Sequence, residues 1–338
     1  MPVPRKRVTL FDICRKADVS SATVSRVINE SPLVQEDTRR KVLKAIREMG
    51  YRPSHAARML ARQRTETIGV ILPDLNSQFQ AQILAGIDQV ADEAHHHMLT
   101  AFTHGGRDAR RLLRRMAEER RVDAAIFVNL QSGTESLLRD MARLGLPLVL
   151  LDRPVAGFPS VVIDNESGAR LAMEHLLKLG HRRIAFLQGP EGNYDAGQRL
   201  AGALTALEAC GCSLPDELRW RGDFAEDSGA AAVAVWGASG RPWPEAIFAC
   251  NDTMAFGVLT ALRERGLRVP EDVAVMGFDD SLGARWIGLS TVRIPVRELG
   301  YTAARMALQL SRRELPDPPL VRLPVELLVR QTCGGSPS

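Results

Sequence analysis

Two sets of side chains in the sequence have the types and spacing to do chemistry, and in both it is the chemistry of binding. The first is the string "SATVSRVIN" at residues 21–29. Wound as a helix it turns Val24, Val27 and Ile28 inward and leaves Ser21, Ala22, Ser25, Arg26 and Asn29 on the outer face. Small outward groups let a helix approach base edges closely, and an arginine can grip guanine with two hydrogen bonds. The second set follows apolar runs further along: Asp74 to Phe79 after "TIGVIL", Asp152 after "PLVLL", Asn251 and Asp252 after "AIFAC", and Asp279 after "VAVMGF". A carboxylate such as Asp279 accepts from ligand hydroxyls, and an amide such as Asn251 both donates and accepts. Asp152, Gln78 and Asp252 fit a helix cap or a loop hydrogen bond as well as a ligand contact.

Catalytic and metal chemistry find no support. The triplet "HHH" at 95–97 has no carboxylate or cysteine at ligand spacing, and Cys210 and Cys212 lack partners to close a tetrahedral site. No glycine fingerprint, Walker lysine or nucleophile elbow follows a strand. The expectation is a protein that is not an enzyme and carries no cofactor and no metal.

The bulk properties fix the setting. At 338 residues the chain suits two or three units of the usual ~100–200 residues. No apolar run reaches the ~18 residues that cross a bilayer, and the N-terminus has a basic start without the apolar stretch of a secretory signal. The five cysteines are scattered and odd in number, as in a reducing compartment. These features predict a cytoplasmic protein with no membrane partner. The net charge of +4 conceals an asymmetry: residues 1–65 hold 15 Lys and Arg against 6 Asp and Glu, leaving 29 basic and 34 acidic residues for the rest. A basic front on a mildly acidic body is the charge pattern of a head that binds a polyanion.

The elements that must position these residues differ between the two halves. In the first sixty residues, apolar positions at three- and four-residue spacing (Leu10, Ile13, Ala17; Val19, Val24, Val27, Ile28; Val42, Ile46, Met49) predict three short helices around one small core. Thr9 with Asp12 reads as a capping box, Ser20 as the cap of the second helix and Gly50 as the end of the third. The turn "ADVS" has the length of a helix-turn-helix connection. After Arg64, β-rich runs ("TIGVIL", "HMLTAFT", "DAAIFV", "LPLVLL", "SVVI", "RRIAFLQ", "EAIFAC", "DVAVMG") alternate with amphipathic helical stretches. That alternation predicts parallel α/β sheets in two lobes, with ligands bound beyond the carboxyl ends of the strands.

The stretch "VTLFDICRKADVSSATVSRVINESPLVQEDTRRKVLKAIREMGYRPSHAARMLARQ" resembles the DNA-binding head of the lactose/galactose-repressor (LacI/GalR) family of transcription regulators. "TIGVILPDLNSQF", "VVIDNESGARLAMEHLLKLGHRRIAFLQG", "AIFACNDTMAFGVLTAL" and "VAVMGFDD" resemble that family's effector domain, so the likeness runs through the whole chain. It implies that Ser21, Ala22 and Arg26 enter the major groove, and that Thr9, Ser20, Thr23, Ser25, Asn29 and Thr38 touch phosphate or brace the recognition helix. It implies a hinge in "YRPSHAARMLA", with Leu60 as a minor-groove wedge, Ala57 near the base edges and Tyr51, Ser54 and His55 close by; such wedges kink DNA. Gln35 departs from the usual Ser or Thr cap of the third helix. In the body the resemblance picks out Arg199, in "GQRLAG", as an effector-binding arginine, matches Asn251 and Asp279 to polar clamp residues, and gives Phe79 and Phe224 the covering of a ring face. A guanidinium fork, a carboxylate and an amide together suit a polyol.

The implied architecture is a three-helix helix-turn-helix head at 1–53, a hinge at 54–65, a two-lobed periplasmic-binding-protein-like α/β effector domain at 66–332 and a tail at 333–338. The chain would cross between lobes near 161, 293 and 321, giving lobe one about 66–161 and 294–320 and lobe two about 162–293 and 321–332. The resulting expectation is a ligand-responsive repressor that binds a palindromic operator on double-stranded DNA as a homodimer. Its effector would be a sugar, a sugar acid or a relative, with purine-like ligands behind. No leucine heptads close the chain, so no tetramerising coiled coil is expected. A periplasmic-type sugar-binding protein would share the two-lobed body but needs a signal peptide and no basic head.

Overall fold

The computed structural model describes residues 8–28, 31–51, 64–75, 77–103, 108–128 and 135–335. The chain divides into two compact units, Met1–Glu66 and Thr67–Ser338.

The first unit holds α1 (Leu10–Ala17), α2 (Ser21–Ile28) and α3 (Glu36–Met49). Their apolar stripes meet in one core of Ile13, Ala17, Val24, Val27, Val42, Ala45 and Tyr51. The Asp12 carboxylate opens α1 by accepting from the Thr9 backbone N–H at 2.9 Å and hydroxyl at 2.7 Å. The Ser20 hydroxyl accepts from the Thr23 N–H at 3.2 Å at the start of α2. Gln35 precedes α3 without any side-chain cap. Tyr51, expected close to the DNA contacts, also belongs to this core. Gly50 ends α3 in the left-handed region (φ 61) and the Tyr51 N–H bonds back to the Ile46 carbonyl at 3.0 Å. That closure turns the following side chain onto the last helical turn, and Tyr51 is a buried core residue.

The second unit carries two parallel sheets. Six strands, β1 (Thr67–Leu72), β2 (His97–Phe102), β3 (Ala124–Val128), β4 (Leu148–Leu151), β5 (Ser160–Ile163) and β11 (Leu320–Leu323), lie in the order β11-β5-β4-β3-β1-β2. Four more, β6 (Ile184–Gln188), β7 (Arg219–Arg221), β8 (Ala246–Ala249) and β9 (Ala274–Met276), lie in the order β7-β6-β8-β9. The central strands are apolar throughout because helices cover both faces of each sheet. An antiparallel pair, β10 (Thr291–Arg293) with β12 (Glu326–Leu328), forms a third, two-stranded sheet. The larger sheet holds the whole of β5 and β11, so residues 162–163 and 321–323 sit with lobe one, slightly beyond the expected crossings near 161 and 321. The segment expected as a tail from 333 begins inside the fold: Cys333 is fully buried and takes a hydrogen bond from the Ser290 hydroxyl.

The strand order places the ligand-facing edges. In each sheet the chain reverses direction beside its first strand, between β1 and β3 and between β6 and β8, and the crevice at such a switch point receives ligands. The helix that follows β6, α8 (Tyr194–Ala209), packs on α7 (Asn165–Lys178). A Cβ at Gly202 would lie 2.0 Å from the Glu166 carbonyl oxygen, so only glycine allows this approach. Gly202→Ala is expected to part α7 from α8 and cost about 1–3 kcal/mol, read as a lower midpoint in urea unfolding with an unchanged slope.

Candidate functional site

On the head, the face of α2 opposite its buried Val24 and Val27 is set out as a binding surface. Ser21, Ala22 and Arg26 are exposed, and Thr23 and Ser25 are half-buried. Arg26 makes no ion pair or side-chain hydrogen bond with a described residue, so its fork is available. Ser20 and Thr23 share a hydroxyl contact at 2.9 Å that braces the first turn, and Thr9 spends its hydroxyl hydrogen on Asp12. Thr38 is half-buried in α3. Asn29, Ser54, His55, Ala57 and Leu60 lie outside the described residues.

In the second unit the structure brings Arg199, Asn251, Phe224 and Asp279 together beyond the strand ends of the smaller sheet. Arg199, in the second turn of α8, is 4 % exposed. Its Nε donates to the Asn165 side-chain oxygen at 2.8 Å, and its Nη1 donates to the Cys250 carbonyl and, at 3.4 Å, to Asp279 Oδ1. The guanidinium stacks over the Phe278 ring, 3.9 Å from its centroid. Its Nη2 has no bond to a described residue. Asn251 caps α10 (Asp252–Glu264) by accepting from the Met254 N–H at 3.0 Å, and donates to the Phe224 carbonyl at 3.0 Å. Most of its polar capacity is therefore structural. Phe224 sits in the left-handed region (φ 71) and folds over Gly189.

The remaining expected residues lie nearby with differing roles. Gln78, on the first turn of α4 (Gln78–Glu93) in lobe one, accepts from the Leu282 N–H of lobe two at 3.1 Å and so bridges the lobes. Phe79, beside it, packs half-buried on the main core. Asp152 is buried at the end of β4 with a left-handed backbone (φ 73). Asp252 is structural: it accepts from the Thr291 hydroxyl at 2.6 Å and the Ser281 N–H at 2.7 Å. A cavity of about 780 Å³ opens between the lobes beside Asp279; Gln78, Asp280, Leu282, Arg285 and Arg293 also line it, while Arg199, Asn251 and Phe224 lie outside its lining.

Two members of this cluster escaped the sequence reading. Asn165, the first residue of α7, donates to Asp195 Oδ1 at 2.8 Å while accepting from Arg199. Asp195 stands four residues before Arg199 on α8, and that spacing on one helix face was the available signal. The electrostatics follow from the count of charges. One guanidinium faces two carboxylates, Asp195 and Asp279. Burial raises the pKa of Asp279 and Arg199 opposes it, while Asp252 and Asp195 push it further up. Burial likewise raises Asp195 against the pull of Arg199 and Asn165. A carboxyl raised in the folded state binds its proton more tightly there than in the unfolded chain, so its stabilisation is complete at low pH and is lost as pH rises. Relative to Asp279→Asn, the wild-type protein should lose melting temperature steadily from the ordinary carboxylate value near 3.8 upward through neutral pH. Parallel thermal melts of the two proteins across that range check it; matching profiles would place the raised carboxyl elsewhere.

A helix-turn-helix head with an open reading face, joined in one chain to a two-lobed α/β body with a polar cleft, defines a DNA-binding regulator that senses a small molecule. Residues 9–54 match the family described as bacterial regulatory proteins, lacI family, and residues 173–333 match the periplasmic binding protein-like domain. Catabolite control protein A of Priestia megaterium is 34 % identical over 96 % of this chain and 99 % of its own length. GalR of Escherichia coli K12 is 34 % identical over 98 % of this chain and 96 % of its own. Among solved structures, the Lac repressor dimer bound to operator and the anti-inducer ONPF superposes with a TM-score of 0.83 at 31 % identity, covering 97 % of this chain and 99 % of that one. The CelR–cellobiose complex gives 0.73 at 33 % identity, covering 96 % and 100 %. The chain belongs to the LacI family of bacterial transcription regulators and is a ligand-responsive, sequence-specific DNA-binding protein. The relatives it matches along their full length are regulators and not enzymes.

Proposed function

We propose that this protein is a cytoplasmic repressor that binds a pseudo-palindromic operator as a homodimer, one head per half-site, and that a neutral hydroxylated ligand of the sugar class in the cleft controls it. The observation that carries the ligand class is the charge count around Arg199. Asp195 offsets the one guanidinium, and Asp279, pushed up to about 8 by burial, is largely protonated near neutral pH and can both donate to and accept from an incoming hydroxyl. Sugar hydroxyls pair with Asp279 in either direction and accept from the unused Nη2 of Arg199, whereas a sugar acid or phosphate meets a guanidinium whose charge Asp195 already offsets. Phe224 supplies an apolar wall for a ring face. The cellobiose complex of a relative at 33 % identity agrees with a neutral sugar. A second copy of each head on two-fold DNA follows from the Lac repressor dimer bound to operator.

The ligand reading is tested by thermal shift with neutral mono- and disaccharides, cellobiose included, beside sugar acids, sugar phosphates and purine bases. A ligand of the native state raises the melting temperature with its saturation. A shift from neutral sugars supports the reading; a shift from anionic or purine ligands alone overturns it. The DNA reading is tested by selecting binding sites from random duplexes and titrating the winner against salt. Inverted half-sites and a steep loss of affinity with salt are expected, and a flat response would count against a phosphate-gripping head.

A further inference from the structure

Each of the two cleft residues that follow a strand of the smaller sheet is itself followed by an aspartate whose side chain is taken up by neighbouring protein groups. Asn251 is followed by Asp252, and Asp279 by Asp280. Both aspartates bind β10, the strand by which the chain returns from lobe two to lobe one. Asp252 accepts from the Thr291 hydroxyl at 2.6 Å. The Asp280 side chain is completely buried and gathers three guanidiniums: Arg293 of β10 at 2.9 Å, Arg285 of α11 (Leu282–Ile287) at 3.1 Å, and Arg330, just beyond β12 on the last crossing segment. Arg293 continues to Glu326 of β12 at 2.8 Å, and Arg330 donates to the Leu289 carbonyl at 2.7 Å. Backbone bonds tighten the same junction, with the Asp279 N–H on the Val292 carbonyl at 2.8 Å. Two adjacent residues, Asp279 and Asp280, adopt positive φ (123 and 56), a costly conformation that the surrounding contacts must hold.

We propose that Asp280 is a positioning residue that locks the strands flanking two of the three lobe crossings, β10 through Arg293 and the segment of β12 through Arg330, to the loop carrying the cleft residue Asp279, so that occupancy of the cleft and the lobe arrangement change as one. Burial works against its charge, but the hydrogen bonds from Arg330 and Arg293 outweigh it and keep the carboxyl below its ordinary pKa. An ion that draws two of its three guanidiniums from those segments loses both if they move, and a buried carboxylate left with Arg285 alone is unfavourable. The device is therefore suited to two discrete arrangements, as coupling of a ligand site to a second site requires, and ill suited to a continuous slide. Asp195 and Asn165 hold Arg199 from within the same lobe; Asn165 adjoins the first crossing through its bond to the Ile163 carbonyl at 3.5 Å, which leaves the other two crossings to the 279–280 pair.

The proposal deepens the regulatory reading of the same cleft, but its test needs neither DNA nor effector, so the two can fail separately. Amide hydrogen exchange of the full chain is followed by mass spectrometry in the wild type, Asp279→Asn, Asp280→Asn and the double variant. With Asp280 in place, Asp279→Asn should speed exchange in segments 289–294 and 324–331 by about tenfold, the local opening of a released element. In the Asp280→Asn background those segments should already be fast, and adding Asp279→Asn should change them little. If Asp279→Asn leaves the crossings unchanged with Asp280 present, or if its effect is the same in both backgrounds, the relay is overturned. A uniform rise over both sheets would reduce Asp280 to a stability role and likewise overturn it. Should Asp280→Asn not fold, Arg293→Gln provides the second background, because it cuts the link to β10 and leaves two guanidiniums on Asp280.

Discussion

Arg199→Ala is expected to abolish every ligand-induced thermal shift and to destabilise the body by about 3–5 kcal/mol, the usual cost of removing one partner from a buried ion pair. The reason is the number of groups that depend on this side chain. Asn165, the Cys250 carbonyl and Asp279 all take hydrogen bonds from it, and the Phe278 ring lies beneath it. Without it Asp195 and Asp279 keep their desolvation and lose the charge that offsets it, so both rise further and Asp195 joins Asp279 in holding its proton at neutral pH. Arg199→Lys separates the contributions. A lysine restores a positive charge but not a planar fork; it cannot serve Asn165, a carbonyl, a carboxylate and a ligand together. Stability should then recover in part while the ligand response stays absent. DNA binding measured well below the melting temperature should persist in both variants, because Met1–Glu66 forms its own compact unit. A normal ligand shift in Arg199→Ala would show that the cleft lies elsewhere in the body.

Much of the architecture was legible because burial leaves long marks in sequence. All eight β-rich runs became strands; most are covered on both faces and so apolar at nearly every position, while the edge strand β2 is only partly buried. The four strands that were missed, β7, β10, β11 and β12, are three or four residues long and each carries a charged residue, as "RWR" and "TVR" illustrate. Nothing in their periodicity distinguishes them from loop, yet β10 and β12 are the pair that links the lobes. The cleft was legible in part for a related reason. Residues after strands could be found by position, but Arg199 needed the family resemblance, and Asn165 and Asp195 do their work through Arg199 and carry no pattern of their own beyond the four-residue spacing on α8. That Tyr51 joins the core was not legible, because its position follows from how Gly50 closes α3, which depends on backbone geometry.

Arg26→Ala should remove sequence preference while sparing most affinity for random duplex. The exposed reading face of α2 consists of Ser21, Ala22 and Arg26, and of these only the arginine offers two donors in a fixed plane. A good bidentate contact to guanine is worth about 1–3 kcal/mol of discrimination against the wrong base. On a two-fold site the loss occurs in both half-sites, so the ratio of selected to random affinity should fall by roughly the square of the single-site factor. Affinity for random DNA rests on phosphate contacts, to which the exposed Arg15, Lys41 and Arg47 of α1 and α3 are free to contribute. Arg26→Lys should fall between the two, keeping the charge and losing the planar pair. The measurement is affinity for a selected operator and for a scrambled duplex at several salt concentrations. If Arg26→Ala weakens both equally and lowers the salt slope by about one counterion per head, Arg26 binds phosphate and the half-site is read by the groups around it. A collapsed affinity ratio at an unchanged salt slope would place the guanidinium on a base edge, leaving Ser21 and Ala22 the steric role of letting α2 come close enough to use it.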